Sequence, residues 1–200
     1  NPEAIGLSLS QAEFGLALFN KTGDARQWVS LQASALEVAL VGVPGITASA
    51  SDLSVSINQV YGTAINTDAN RQVIDFSGAR AFDVYTGYNK TTQLNMQGSL
   101  GNLVRASGNF ELSVADFVTA RGSLGFEKSR GTVTLANGQT HTVDRLLIGG
   151  QGLDVFAGVG GPYFVDSNGD GEIDGTDTPS SSATGFALSQ AEFALAILST

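Results

Sequence analysis

Cysteine is absent from this sequence. No disulfide can staple the chain, which must rely on burial, repetition or metal ions instead. Proline occurs only four times, and histidine and tryptophan once each. Basic residues are also few: ten Lys and Arg, scattered singly, stand against nineteen Asp and Glu, for a formal charge of −9. Without a basic stripe nothing is available to meet a phosphate backbone, which excludes nucleic-acid binding. Long apolar runs are missing as well. The longest weakly charged stretch, Ala35 to Ile46, contains Glu37 and Pro44 and is too short to span a bilayer, so no membrane insertion is expected. The first residues show neither a basic n-region nor an apolar h-region, and no signal peptide is read in them. Signatures of a nucleophile elbow, a zinc protease, a phosphate loop or a dinucleotide fold are all lacking. The single histidine, His141, cannot make a metal site alone. The chain is read as a non-enzyme.

What the sequence does contain is repetition. Gly6 to Leu18 reads GLSLSQAEFGLAL and Gly185 to Ile197 reads GFALSQAEFALAI, nine of thirteen positions being identical at an offset of 179. Such a match marks one unit of a tandem array that includes the opening segment of the next. The expected boundaries are a β-rich unit over 1–177, a Ser/Pro/Thr connector over 178–184 and the opening rung of the following unit over 185–200.

A shorter pattern lies beneath the long one. Two alternating half-segments flank a two-residue spacer at Leu7 to Leu18, Val29 to Leu40, Ile46 to Ile57, Leu146 to Ala157 and Phe186 to Ile197, with looser versions around Ile74 to Val84 and Leu94 to Leu103. Period-two alternation on either side of a spacer describes two short strands with a bend and one buried face. With abundant glycine and many Val, Ile, Ser and Thr residues, this predicts an all-β, elongated unit, solenoid-like or built of stacked strands. Ser10 with Glu13 and Ser189 with Glu192 also form capping boxes, so a short helix is the alternative for the repeated segment. Strand is preferred, because the same template at Ile46 to Asn58 is too rich in serine and β-branched residues for a helix. Asn137-Gly138, between Thr132 to Ala136 and Gln139 to Val143, predicts a hairpin with a two-residue type I′ turn.

One motif carries chemistry. Asp166 to Asp177 reads DSNGDGEIDGTD, with Asp166, Asn168, Asp170, Asp174 and Asp177 at the odd or closing positions of a calcium loop and Glu172 placed to offer its carbonyl. Calcium takes six to eight oxygens, Gly171 permits the sharp turn, and Ile173 points away to anchor the loop. Five carboxylates within twelve residues would otherwise repel one another. The expected cofactor is Ca2+.

The loop resembles those of dockerin modules and related EF-hand-like bacterial repeats, although its Gly- and Pro-rich flanks offer no paired helices and imply no cohesin partner. The chain as a whole resembles the long repeats of giant secreted bacterial surface proteins of the RTX-adhesin kind. The resemblance rests on Leu7 to Leu18, Ala39 to Thr47, the hairpin and Gly158 to Asp174; the RTX nonapeptide itself is only partly matched at Gly149 to Asp154. It implies an exported, calcium-loaded β unit at the cell surface, whose partners are copies of itself. The assembly seam would be Leu7, Leu9, Phe14, Leu16 and Leu18 with Phe186, Leu188, Phe193, Leu195 and Ile197. Two other functions stay open. One is a calcium-dependent module for surface glycans, with Tyr85, Tyr88, Asn89 and Lys90 as an aromatic and polar platform. The other is a β-helical polysaccharide-degrading enzyme using Asp75, Asp83, Glu111 and Asp116.

Overall fold

The computed structural model describes residues 4–62, 71–115, 117–169, 173 and 176–199. It is all-β. An eight-stranded antiparallel sheet is formed by β1 (Gly6–Ser10), β2 (Glu13–Asn20), β3 (Gln27–Val41), β4 (Ile46–Tyr61), β7 (Leu103–Val114), β8 (Val118–Thr134), β9 (Thr140–Val159) and β10 (Thr184–Ser199). A separate two-stranded hairpin joins β5 (Phe82–Gly87) to β6 (Lys90–Leu94). The large sheet runs in the order β1/β2, β3, β4, β7, β8, β9, β10, so sequence neighbours are also spatial neighbours apart from the excursion between β4 and β7. Among the described residues no solenoid coil and no closed barrel is formed; the rungs lie side by side in one layer.

The repeated segment is strand in both copies, and the helical alternative is not taken. The tight corners follow their turn residues. Val43-Pro44-Gly45 closes with the Ile46 N–H donating to the Val43 carbonyl at 3.2 Å and Gly45 at φ 73°, the geometry Pro-Gly favours. The hairpin at Asn137-Gly138 also forms, but not through the expected two-residue turn. Only Gly138 takes positive φ (82°), while its N–H donates to Leu135 and Leu135 donates to Gln139, both at 2.8 Å. This is a three-residue loop with glycine in the left-handed position. Asn137 uses its Oδ1 to accept the Gln139 N–H at 3.0 Å, so it has no need of positive φ itself.

The spacers in the short pattern become a crease that crosses the sheet. Positive φ occurs at Gln11 (46°), Asp52 (51°), Gly122 (142°), Gly152 (59°) and Gln190 (51°). The register steps at Ser51/Ser54, Arg121/Ser123 and on either side of Ala191, marking bulges at the same level on several strands. A bulge adds a residue and bends the strand, which restarts the alternation beyond it. The approach is close enough to exclude side chains. A Cβ on Gly108 would stand 2.6 Å from Leu53 Cδ2, and one on Gly122 would stand 2.9 Å from the Gly152 carbonyl.

The looser rungs at Ile74 to Val84 and Leu94 to Leu103 do not join the sheet as full strands. They fold over one of its faces and bury Phe76, Leu94, Met96 and Leu103 against Ala17, Phe19, Ile74, Val84 and Leu100. Phe19 meets Phe82 edge-on at 5.6 Å and Phe76 at 6.1 Å. Buried Asn58 holds the excursion down: it accepts from Ser30 Oγ at 3.0 Å and donates to the Ile74 carbonyl at 2.7 Å. The other face carries two rows that are apolar but for Lys128. One passes through Phe14, Ala33, Val55, Ala106, Phe126, Ile148 and Leu195, and the next through Leu16, Leu31, Ile57, Val104, Lys128, Leu146 and Ile197. Many of these side chains are exposed, Phe14 at 64 %.

Candidate assembly seam and calcium loop

The sheet places the two copies of the repeated segment at its two edges. β1 and β2 pair with β3, setting Leu9 opposite Val38 and Phe14 opposite Ala33. β10 pairs with β9, setting Phe186 opposite Ala157, Leu188 opposite Val155 and Phe193 opposite Gly150. All ten seam residues expected from the sequence are therefore edge-strand residues, and each is a substantially exposed apolar side chain.

At the β10 edge the crease holds an ionic node that sequence reading missed. Asp154, 3 % exposed, accepts two bonds from Arg121 on its Oδ2, from Nε at 3.1 Å and Nη2 at 2.8 Å. Its Oδ1 accepts the Gln190 backbone N–H at 2.8 Å and the Ser189 hydroxyl at 3.3 Å. A buried carboxylate must be paired and bonded to be tolerated, and here its remaining capacity is spent on the bend of the SQAEF motif. The guanidinium of Arg121 stands over the Phe164 ring at 5.4 Å and also donates to the Ile173 carbonyl at 3.1 Å. Phe156, almost fully buried, stacks on Tyr163 at 5.4 Å beneath the same segment.

Ile173 belongs to the predicted calcium loop, so the node ties that loop to the seam. Of the six expected ligands, Asp166, Asn168 and Asp177 are described; Asp170, Glu172 and Asp174 lie outside the described residues. The two ends of the loop are drawn together. Asp177 Oδ1 accepts the Ser167 N–H at 2.8 Å, Thr178 donates to Ser167 Oγ at 2.7 Å, and Asn168 donates to Thr176 Oγ1 at 3.0 Å. Asp166 Oδ1 accepts the Gly169 N–H at 2.6 Å, with Gly169 at φ 77°. That closure fits a loop whose first and last ligands must meet on one ion. Among the described residues no group of three or more His, Cys, Asp or Glu gathers, at this loop or elsewhere.

The described carboxylates of the enzyme reading lie on separate elements, whereas the aromatic and polar platform falls on one hairpin. Asp75 bonds to Arg80 and to the Ser77 and Gly98 N–H groups, Asp83 accepts from Gln93 at 3.0 Å, and Glu111 lies across the sheet from Arg121. Among the described residues these carboxylates are not gathered into one group, and Asp116 lies outside the described residues. Tyr85 and Tyr88 project from the β5–β6 hairpin, Tyr88 at 93 % exposure, with Asn89 at the turn in positive φ. His141 is exposed on β9 opposite Val133. Compared with known protein families, curated proteins and solved structures, the chain matches none.

Proposed function

We propose that this chain is a structural repeat module of an extracellular bacterial filament or giant adhesin, joined end to end to copies of itself and stiffened by calcium in the 166–177 loop. One observation carries the reading: the same segment, bent at the same glutamine, forms both edges of one sheet. Two matching edges are what a module needs that must meet its own kind at both ends. Elongation then comes from lateral growth of the sheet, unit upon unit, and not from the turns of a solenoid. Calcium enters through position: Arg121 joins the Ile173 carbonyl to Asp154 and so to the seam, and an ion that orders the loop would order that contact.

Electron microscopy of the 200-residue chain in calcium and in EGTA tests both parts. Strings of particles are expected, longer in calcium. Solitary compact particles at every concentration refute the module reading, and strings indifferent to calcium remove the metal from it.

A further inference from the structure

The two copies of the repeated segment use opposite edges of what is nearly the same strand. Six antiparallel steps separate β1/β2 from β10, so both run in the same direction. They also show the same face, since the row from Phe14 ends at Leu195 and Leu16 and Leu195 are equivalent in the repeat. With direction and face matched, β1/β2 has β3 on one side and β10 has β9 on the other. The side of β1/β2 that faces away from β3 is thus the side by which β10 meets β9. Successive residues of a strand point their N–H and C=O groups to alternate edges, so one strand can serve both neighbours at once.

Three details of β1/β2 answer to a β9 seat. Gln11 is already bent at φ 46°, against 51° for Gln190, whose N–H is read by Asp154. Phe14 is largely exposed, while its counterpart Phe193 lies over Gly150, where a Cβ would stand 2.5 Å from the ring. Gly6 has nothing within 4 Å of its missing Cβ, whereas a Cβ on its counterpart Gly185 would stand 2.3 Å from the Ala157 carbonyl. The reverse substitution fits less well. Gly15 lies beneath the excursion, where a Cβ would meet Val84 and Thr92 at 3.1 and 3.2 Å, and the counterpart of Gly15 is Ala194.

We propose that the outer edge of β1 and β2 is the docking edge for β9 of a second copy of this chain, in the place that residues 184–199 hold here. One strand then closes one unit and opens the next. The proposal rests on the repeat-module reading and specifies its joint: Leu9 opposite the second copy's Val155, Phe14 opposite its Gly150, and the Gln11 N–H donated to its Asp154. The sheet stays antiparallel across the joint, because β9 and β3 both run against the shared strand.

The chain has no cysteine, so paired cysteines report the joint cleanly. In a Leu9→Cys/Val155→Cys chain the two positions are five strand spacings apart, about 24 Å, too far to bridge within one molecule. Directly opposed across the joint, they lie within disulfide range. Disulfide-linked multimers are expected on oxidation, and not from the misregistered pair Leu9→Cys/Ile148→Cys. A Leu188→Cys/Val155→Cys chain, which closes within itself, confirms that the variants fold. Two prolines, neither able to adopt the positive φ of the bend, should act in opposite senses on the Leu9→Cys/Val155→Cys chain. Gln190→Pro, which evicts the resident strand, should raise the multimer yield several-fold; Gln11→Pro should abolish it. Strings of particles without the Leu9–Val155 link, equal linking by the misregistered pair, or the reverse response to the prolines would overturn the shared strand and leave the module reading standing. Absence of both strings and link overturns the two together.

Discussion

Asp154 is the buried ionic centre of the β9–β10 edge. It is buried, and its oxygens are divided between Arg121 and the Ser189–Gln190 bend. Removing one partner of a buried pair leaves an uncompensated charge, at a cost of about 3–5 kcal/mol. Arg121→Met should therefore destabilise the sheet by that amount in urea unfolding. The double variant Arg121→Met/Asp154→Leu should recover only part of it. The ion pair itself can be replaced almost without loss, but the Gln190 N–H would lose its acceptor, worth about 1–3 kcal/mol. Full recovery in the double variant would show that the bend is not held by Asp154. Nothing in the sequence singles out this node. Arg121 and Asp154 are 33 positions apart, no motif links them, and only the pairing of β8 with β9 brings them together. The calcium loop proposed over 166–177 is readable for the opposite reason: its candidate ligands are close in sequence, so spacing alone suggests it.

At the level of elements, the alternating pattern with its two-residue spacer is readable as two half-strands and a bend; bends occur at Gln11, Asp52, Gly152 and Gln190, while β3 passes its spacer with no positive φ and no register step. What the pattern could not convey was partnership. Alternation states that a strand has one apolar face; it does not state whether its neighbour lies beside it in a sheet or above it in a coil. The excursion between β4 and β7 was misjudged for a related reason. Ile74, Phe76, Leu94 and Met96 are apolar at alternate positions like a rung, yet they bury themselves over the sheet and not within it. The crease offers a direct check. Gly122→Ala would place a Cβ at φ 142°, 2.7 Å from Leu153 Cδ2 and 2.9 Å from a backbone carbonyl. A loss of about 1–3 kcal/mol is expected from such overpacking. Gly125→Ala, three residues along the same strand with open space around the added atom, should be close to neutral. Equal responses in urea melts would mean that the crease is not a tight crossing.

For the whole molecule, acid is the condition that acts on many places at once. The Arg26 guanidinium bonded to Asp24 holds its carboxyl down at about 2. The N–H of Gly98, then the hydroxyl and N–H of Ser77, hold Asp75 well below the usual carboxylate range. Burial pushes Glu127 upward, but bonds from Ser129 and Arg105 and the charges of Arg105 and Arg145 outweigh it and leave it lowered. Carboxyls depressed in the folded state lend stability above their unfolded values, near 4, and lose it as pH falls through the folded ones. The melting temperature by circular dichroism should stay level near pH 5–7 and fall between about pH 4 and 2; a rise on acidification would contradict these pairings.

The apolar rows add a geometric consequence. The row entering at Phe14 leaves at Leu195, and the row entering at Leu7 leaves at Leu188. Their counterparts in the first copy are Leu16 and Leu9, two residues further along the strand in each case. Two residues of strand are about 7 Å, and an even step keeps every side chain on its own face. An array joined through this strand is therefore stepped: each unit is offset along the strand by the same small height, and its apolar rows continue on the same face of the sheet.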